Sequence, residues 1–288
     1  MPELPEVEHL RRTLTKRIVG RRFESVAVRR REVITTERDP PGGFSRDQSG
    51  AAPSRLFTRE LLAGDRVATL KRLGKQLAII GESGRVVCVH LGMTGQLVVI
   101  DHNADIGAHA HVVWTVDNGT IMVFRDARRF GGVWTYLHEQ SLRETRWNTL
   151  GPDALHVTGD ELRSVLHRSS RSIKSALLDQ HVVAGVGNIY ADEALFDACV
   201  RPTRRCAAIR AAEFERIGGC VRATLARAVT RGGSSIRDYV DSEGRAGRGQ
   251  LDHAVYGRGG LACVRCGEPL ESGVVASRTT VWCRGCQR

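Results

Sequence analysis

Short runs of β-branched and apolar residues, separated by glycine-containing turns, dominate the chain between residues 66 and 137. The runs are Arg66–Arg72, Gln76–Ile80, Val86–Leu91, Gln96–Ile100, Val112–Val116, Thr120–Phe124 and Gly132–Leu137. Strands of this length at regular spacing are typical of antiparallel sheets packed face to face. The first half of the chain is therefore predicted to be a β-sandwich.

Helical periodicity replaces the strand pattern after Gly151-Pro152, where we place a domain boundary. The predicted helical segments are Glu161–His167, Ile173–Leu178, Ala191–Asp197 and Ala207–Thr230. One more helix is predicted before the strands, with an apolar face formed by Val7, Leu10, Leu14 and Ile18. Residues 38–55 are rich in Pro, Gly, Ser and Asp and predict a flexible surface loop.

The C-terminus carries two Cys-x-x-Cys knuckles, formed by Cys263, Cys266, Cys283 and Cys286. This spacing predicts one structural zinc ion with four Cys ligands and a β-hairpin between the knuckles. A module this small has too little core to fold without the metal. Disulfides are the alternative, which a cytosolic location disfavours. The other cysteines, Cys88, Cys199, Cys206 and Cys220, are interpreted as ordinary reduced core thiols.

These patterns predict an α+β protein with four segments. Residues 1–138 form an N-terminal β-sandwich domain, 139–155 a linker, 156–248 a helical domain, and 249–288 a zinc-finger module. No run is long enough to span a membrane, and the charged start lacks the apolar core of a secretory signal. We therefore expect a cytoplasmic protein.

Formal charge points to a polyanionic partner. The chain has 43 Lys and Arg against 32 Asp and Glu, a net charge of +11, and a pI near 9.8. A strongly basic chain most often binds nucleic acid. The alternative is an Arg-rich composition imposed by the base content of the genome.

The start of the chain offers an uncommon nucleophile. Removal of Met1 would make Pro2 the N-terminus, and proline alone supplies a secondary amine there. An α-amino group titrates near pH 8, so a useful fraction is unprotonated near neutrality and can attack a sugar carbon to form an iminium. Glu3 is placed to supply or accept protons. The alternative is a simple helix start, which Pro5 and the flanking acidic residues also suit.

Two longer strings carry a resemblance. The opening, Met1-Pro2-Glu3-Leu4-Pro5-Glu6-Val7-Glu8, resembles the start of formamidopyrimidine-DNA glycosylases, bacterial repair enzymes that excise oxidised purines through an N-terminal proline. Residues 178–193, which include Gly185-Val186-Gly187-Asn188, are similar to the helix–two-turns–helix of the same family. Motifs at both termini and in four internal places agree with those of the family in identity and order, so the resemblance covers nearly the whole chain.

The resemblance implies roles for individual residues. Catalysis is implied for Pro2, Glu3, Lys75 and Arg278; DNA binding for His90, Met93, His109, Arg128, Phe130, Lys174 and Asn188; and a place lining the site for Glu6 and Glu193. Met93, Arg128 and Phe130 would fill the space left by a flipped nucleotide. From the residues alone, core positions for Met93 and Phe130 and solvated surface positions for the lysines, histidines and Glu193 stay open.

The implied activity is that of a bifunctional DNA glycosylase/AP lyase acting as a monomer on damaged double-stranded DNA, with structural zinc as its one bound cofactor. One departure concerns substrate choice: residues 244–250 lack the aromatic that the family's 8-oxoguanine enzymes usually carry in the loop over the flipped base. The alternatives are an endonuclease VIII-type enzyme for oxidised pyrimidines and a non-catalytic zinc-ribbon protein that binds nucleic acid.

Overall fold

The structure is a computed structural model that describes residues 2–37, 55–235 and 239–288. The predicted flexible loop lies outside these residues except for position 55. The chain packs into two compact units. Unit 1 comprises residues 1–2, 6–148 and 234–247, and unit 2 comprises residues 3–5, 149–233 and 248–288.

Unit 1 contains most of α1 and all the strands of the first half. The helices are α1 (Leu4–Ile18), α2 (Arg55–Glu60) and α3 (Glu139–Leu142), the last followed by a π-helical turn at Arg143–Trp147. The strands are β1 (Phe23–Val28), β2 (Ile34–Thr36), β3 (Val67–Leu73), β4 (Gln76–Gly81), β5 (Val86–His90), β6 (Gln96–Asp101), β7 (Ala110–Val116), β8 (Thr120–Arg125) and β9 (Gly132–Tyr136).

Two sheets enclose a common core in unit 1. One has the strand order β1-β7-β8-β6 and the other β2-β9-β5-β4-β3. Apolar residues from both sheets, among them Leu77, Val87, Trp114 and Phe124, form one buried cluster, so the predicted sandwich is confirmed. The prediction that all strands pair antiparallel is wrong at one edge of the second sheet, where β2 runs parallel to β9.

Helix α1 packs its predicted face into the same cluster. Val7, Leu10, Leu14 and Ile18 are all at most 1% exposed. The helix ends at Ile18, and Gly20 follows with a φ of +76°, a backbone conformation that glycine adopts without strain. This packing anchors the helix from Val7 to Ile18 in the core of unit 1.

Unit 2 is helical and ends in a hairpin. Its helices are α4 (Gly159–Leu166), α5 (Ile173–Leu178), α6 (Asn188–Asp197) and α7 (Ala211–Thr230), and its strands are β10 (Glu271–Val275) and β11 (Arg278–Trp282). Phe214, Ile217, Leu195 and Ile173 belong to one buried cluster, which Leu4 joins from the start of the chain. The predicted helical segments are found, with α6 beginning three residues earlier than predicted, at Asn188, and α7 four residues later, at Ala211.

The hairpin between the cysteine pairs has an unusual turn. Val275 pairs with Arg278, so Ala276 and Ser277 form a two-residue connection, with φ of +49° and +57°. Positive φ at both positions is the type I′ geometry that matches strand twist. Residues other than glycine adopt it at a cost of about 1 kcal/mol each. The turn presents Arg278 at the first position of β11.

Cys88 and Cys206 are buried, as predicted for core thiols, and Cys220 is half-buried. The prediction is wrong for Cys199, which is exposed and lies two residues after α6 ends at Asp197, with a φ of +55°. Among the described residues, no helix combines the length and the hydropathy needed to cross a bilayer.

Candidate functional site

The Glu3 carboxylate lies at the N-terminus of α6. The amide of Ile189 donates a hydrogen bond of 2.9 Å to Glu3 Oε1, and the Glu3 side chain is 2% exposed. A helix N-terminus stabilises negative charge through its unpaired amides and its dipole. Pro2 is the next residue toward the N-terminus. The arrangement therefore fixes a carboxylate one peptide away from the predicted nucleophile.

Gly187 makes room for this carboxylate. A Cβ atom at position 187 would lie 2.3 Å from the carboxyl carbon of Glu3, and one at Gly185 would lie 2.4 Å from Leu4. A Gly-x-Gly pattern just before a helix often lets the backbone approach a phosphate. In the structure the glycines accommodate the first residues of the chain, and Ile189 N–H binds Glu3.

Gly187→Ala is therefore expected to displace the Glu3 carboxylate and to lower the rate of the expected base excision by about a hundredfold, the lower end of the range for general acid–base groups. Single-turnover excision rates measure the effect. Gly219→Ala in α7 is the matched control, because a Cβ there meets nothing within 4 Å. Equal rates for the two variants would contradict this role of Gly187.

Two turns of unit 1 bring together the residues predicted to fill a vacated base position. Gly92, with a φ of +60°, packs so closely that a Cβ would lie 2.3 Å from the backbone of Phe130 and Gly131. Met93 follows Gly92 directly. The Arg128 guanidinium lies 4.7 Å from the centre of the Phe130 ring, and Phe130 is 55% exposed. An exposed aromatic ring with a stacked cation suits contact with bases.

Asp126 holds these two turns in place. Its carboxylate accepts hydrogen bonds from Thr94 Oγ1, from Gly131 N at 2.7 Å and from Arg128 N at 3.3 Å. Asp126 is 1% exposed, so it acts on the turns rather than on solvent. The amide of Asp126 also donates to the carbonyl of exposed His109 at 3.1 Å. Asp126 is not among the site residues that the sequence predicts.

Lys75 and His90 lie near each other at one end of the second sheet. Lys75 belongs to the turn between β3 and β4 and is 9% exposed, and Gln76 pairs with His90 across the sheet. Burial, with the charges of Arg146 and Lys75, lowers the pKa of His90 from 6.5 to about 4. His90 Nδ1 accepts a hydrogen bond from Gly92 N at 3.2 Å. His90 is therefore neutral at pH 7.

A depressed pKa makes stability depend on pH. Between pH 6.5 and about 4, His90 is protonated in the unfolded chain but stays neutral in the folded protein. Stability conferred by neutral His90 is therefore complete above pH 6.5 and falls by roughly 3 kcal/mol as the pH drops to 4. His90→Gln should flatten this part of a urea-unfolding profile. Exposed His167→Gln should not, and identical profiles for both variants would contradict the account.

Glu6 anchors two described residues in the C-terminal region of unit 1, Ser234 and Tyr239. Its carboxylate accepts a hydrogen bond from Ser234 N at 2.6 Å, and its carbonyl accepts one from the Tyr239 hydroxyl at 2.9 Å. Further along α1, His9 lies 3.5 Å from Asp241. The segment that departs from the aromatic pattern of the family begins within this anchored region.

Lys174, Asn188, Glu193 and Arg278 all belong to unit 2. Lys174 is 0% exposed, and its ammonium lies 2.7 Å from Asp192 Oδ1. Asn188 Nδ2 donates to the Thr279 carbonyl at 3.0 Å, next to exposed Arg278. Glu193 accepts backbone hydrogen bonds of 2.8–2.9 Å from residues 254–256. Lys174 and Glu193 are therefore not solvated surface side chains, because both make hydrogen bonds or ion pairs inside unit 2.

The four cysteines of the knuckles meet in space. Their sulfur atoms all lie within 4.8 Å of one another, with Cys263 and Cys286 at 3.9 Å and Cys266 and Cys283 at 3.4 Å. A tetrahedral ion with metal–sulfur bonds of about 2.3 Å requires sulfurs about 3.8 Å apart. This cluster is able to hold a metal ion.

Comparisons with known proteins agree along the whole chain. The family description "Formamidopyrimidine-DNA glycosylase N-terminal domain" matches residues 1–133, and "Formamidopyrimidine-DNA glycosylase H2TH domain" matches residues 150–240. The formamidopyrimidine-DNA glycosylase of Geobacillus kaustophilus is 39% identical over 290 residues, which cover 100% of each chain.

Solved structures show the same similarity. A Lactococcus lactis Fpg mutant in complex with Fapy-dG-containing DNA superposes with a TM-score of 0.87 at 30% identity, over 100% of each chain. The wild-type L. lactis protein in complex with DNA containing an oxidised pyrimidine gives 0.85 at 30% identity, also over 100% of each chain. This chain belongs to the formamidopyrimidine-DNA glycosylase family.

Proposed function

We propose that this protein is a bifunctional DNA glycosylase/AP lyase of base excision repair, acting on damaged double-stranded DNA in the cytoplasm. Its substrates are oxidised purines, namely 8-oxoguanine and formamidopyrimidines. The observation that carries the proposal is the Glu3 carboxylate held by Ile189 N–H beside Pro2. The relative with bound Fapy-dG DNA supports the substrate class. The protein acts as a monomer, since one damaged strand needs one reader.

The reaction begins at the chain start. With Met1 removed, the Pro2 nitrogen attacks C1′ of the damaged nucleotide, and the bond between C1′ and the base breaks. The base leaves with the proton that the Pro2 nitrogen gives up. Glu3 then delivers a proton to the ring oxygen O4′, the C1′–O4′ bond breaks, and the opened sugar is joined to the Pro2 nitrogen as an iminium at C1′. The Glu3 carboxylate is buried and is held by its hydrogen bond to Ile189 N–H at the N-terminus of α6, so it keeps a fixed position next to Pro2.

Strand cleavage follows from the iminium. It acidifies the hydrogens on C2′, and loss of one breaks the C3′–O bond; a second elimination breaks the C5′–O bond. The two eliminations leave a gap with a phosphate at each end. Water then hydrolyses the iminium and releases Pro2. We assign Lys75 to a backbone phosphate near the lesion and to the first elimination, and Arg278 to the phosphates around the lesion and to the second elimination. Both are cations, and Arg278 is exposed on its hairpin turn.

The remaining predicted residues bind DNA. Met93, Arg128 and Phe130 occupy the space of the flipped nucleotide, supported by their adjacent turns and by the stacking of Arg128 on Phe130. His90 and His109 contact the DNA, Asn188 binds its phosphate, and Glu6 and Glu193 line the site. Lys174 is also assigned to DNA binding; because its side chain is 0% exposed, it acts through β11, where it hydrogen-bonds to Thr279 and Thr280. Because His90 is neutral, it would contact the DNA through a hydrogen bond and not through an ion pair with phosphate.

The bound metal is a structural zinc ion with Cys263, Cys266, Cys283 and Cys286 as ligands. The four sulfurs fit the size and the softness of zinc. With every coordination position taken by thiolate, the ion holds the hairpin of Arg278 and takes no part in the reaction. The domain organisation, 1–138, 139–155, 156–248 and 249–288, is part of the same proposal.

A second candidate is a preference for oxidised pyrimidines. Residues 244–250 lack an aromatic side chain, and a relative of known structure binds DNA with an oxidised pyrimidine. Single-turnover excision from 8-oxoguanine and thymine-glycol duplexes decides between the two. Faster excision of 8-oxoguanine supports the proposal, and faster excision of thymine glycol contradicts it. Absence of borohydride cross-linking to either duplex would favour a non-catalytic DNA-binding protein.

A further inference from the structure

Lys174 and Asp192 form an ion pair that is fully enclosed in unit 2. Both side chains are 0% exposed, and Lys174 Nζ lies 2.7 Å from Asp192 Oδ1. A buried pair of charges loses hydration that its mutual attraction only partly offsets. Apolar residues of the same volume would therefore stabilise the fold as well or better. The pair is better explained by what it holds than by a gain in stability.

The pair holds the strand that begins with Arg278. The Lys174 ammonium donates to Thr280 Oγ1 at 2.7 Å and to the Thr279 carbonyl at 3.2 Å. Asp192 Oδ2 accepts a hydrogen bond from Val281 N at 3.2 Å. The two side chains thus grip three consecutive residues of β11, directly after Arg278.

Helix α6 links this grip to the catalytic carboxylate. Asp192 lies one turn after Asn188 and Ile189; Asn188 binds the Thr279 carbonyl, and Ile189 N–H binds Glu3. A helix is a rigid element over this distance. The first turns of α6 therefore fix β11 and Glu3 relative to each other within unit 2.

We propose that Asp192, acting through Lys174, is a positioning residue for Arg278. This inference rests on the proposed function, in which Arg278 binds phosphate and assists the second elimination. The Arg278 side chain is exposed and follows a strained two-residue turn, so its location depends on the anchoring of the strand behind it. A displacement of about 1 Å in a positioning group can reduce a rate a hundredfold.

A double-mutant cycle between Asp192 and Arg278 tests the inference. Asp192→Asn in the wild-type background is expected to lower the rate of the second elimination on abasic-site DNA about tenfold. In an Arg278→Ala background the same substitution should change the rate less than twofold, since groups that act together are not additive. Asp252→Asn, which breaks the exposed pair with Arg231, is the control and should leave both rates unchanged.

A purely structural role for Asp192 gives a different pattern. The two substitutions would then multiply, with the same tenfold loss in both backgrounds, and this result would overturn the inference. If Asp192→Asn fails to fold, the charge-free double variant Lys174→Met with Asp192→Leu enters the same cycle with the same expectation. Wild-type rates in that double variant would also overturn it.

The wild-type protein separates this inference from the proposed function. If the wild type forms no borohydride adduct with any lesion duplex, the proposed function fails and the positioning role has no reaction to serve. If the wild type forms the adduct and the cycle is multiplicative, only the role of Asp192 fails.

Discussion

Replacing Pro2 by glycine is expected to lower the rate of base excision by about a hundredfold or more, the scale of losing an essential nucleophile. Glycine leaves a primary amine, which forms an imine that can lose its proton and is then a weaker electron sink. It also lacks the ring that fixes the direction of the nitrogen lone pair. Single-turnover kinetics on 8-oxoguanine DNA measure the loss.

Pro5→Ala is the matched control, because Pro5 lies in the first turn of α1. If the prolines serve only to start a helix, both substitutions should alter the unfolding midpoint and neither should alter the chemistry. Excision by the Pro2→Gly variant at the wild-type rate would contradict nucleophilic catalysis.

Removal of one zinc ligand, by Cys283→Ser, should unfold the C-terminal module. Structural zinc contributes roughly 10 kcal/mol or more of folding free energy. The apolar cluster of this module is small and includes Phe196, Val255 and Val281 besides Cys283 itself. We expect loss of bound zinc and of the second elimination, because β11 and Arg278 are no longer held.

Zinc content by atomic absorption, together with the ratio of products from the first and second eliminations, measures this outcome. Cys220→Ser, in α7 and outside the cluster, should retain both zinc and activity. A Cys283→Ser variant with full zinc and a normal product ratio would contradict a structural metal at this site.

Local patterns predicted the elements of the fold well. The strands of residues 66–137 alternate or run apolar over four to seven positions, and each is found within a residue or two of its predicted ends. The three-residue β2 is too short to give a periodic signal, and its parallel partner β9 lies about a hundred residues away. Pairing at that distance depends on tertiary packing that no local pattern records.

The site was predicted through residue identity rather than through geometry. Pro2 and the knuckle cysteines are unusual enough to indicate chemistry by themselves. Asp126 and Asp192 were missed because each is a single acidic residue whose partners are distant in sequence, such as Thr94 and Val281. A buried carboxylate becomes informative only when its hydrogen bonds are known.

The glycines illustrate the same limit. Gly185 and Gly187 lie just before α6, and a phosphate is a common ligand for such a turn. The structure gives the helix N-terminus to Glu3, more than 180 residues away in the chain. The sequence pattern indicates that the N–H groups at the start of α6 are hydrogen-bond donors, but only the structure identifies the Glu3 carboxylate as the acceptor.

Covalent capture by borohydride on 8-oxoguanine DNA, followed by peptide mapping of the cross-link, tests the central claim most directly. The predicted result is a deoxyribose adduct on the N-terminal peptide, with Met1 absent and the modified atom at the Pro2 nitrogen. An adduct on Lys75 or Lys174, or an active protein that retains Met1, would contradict it.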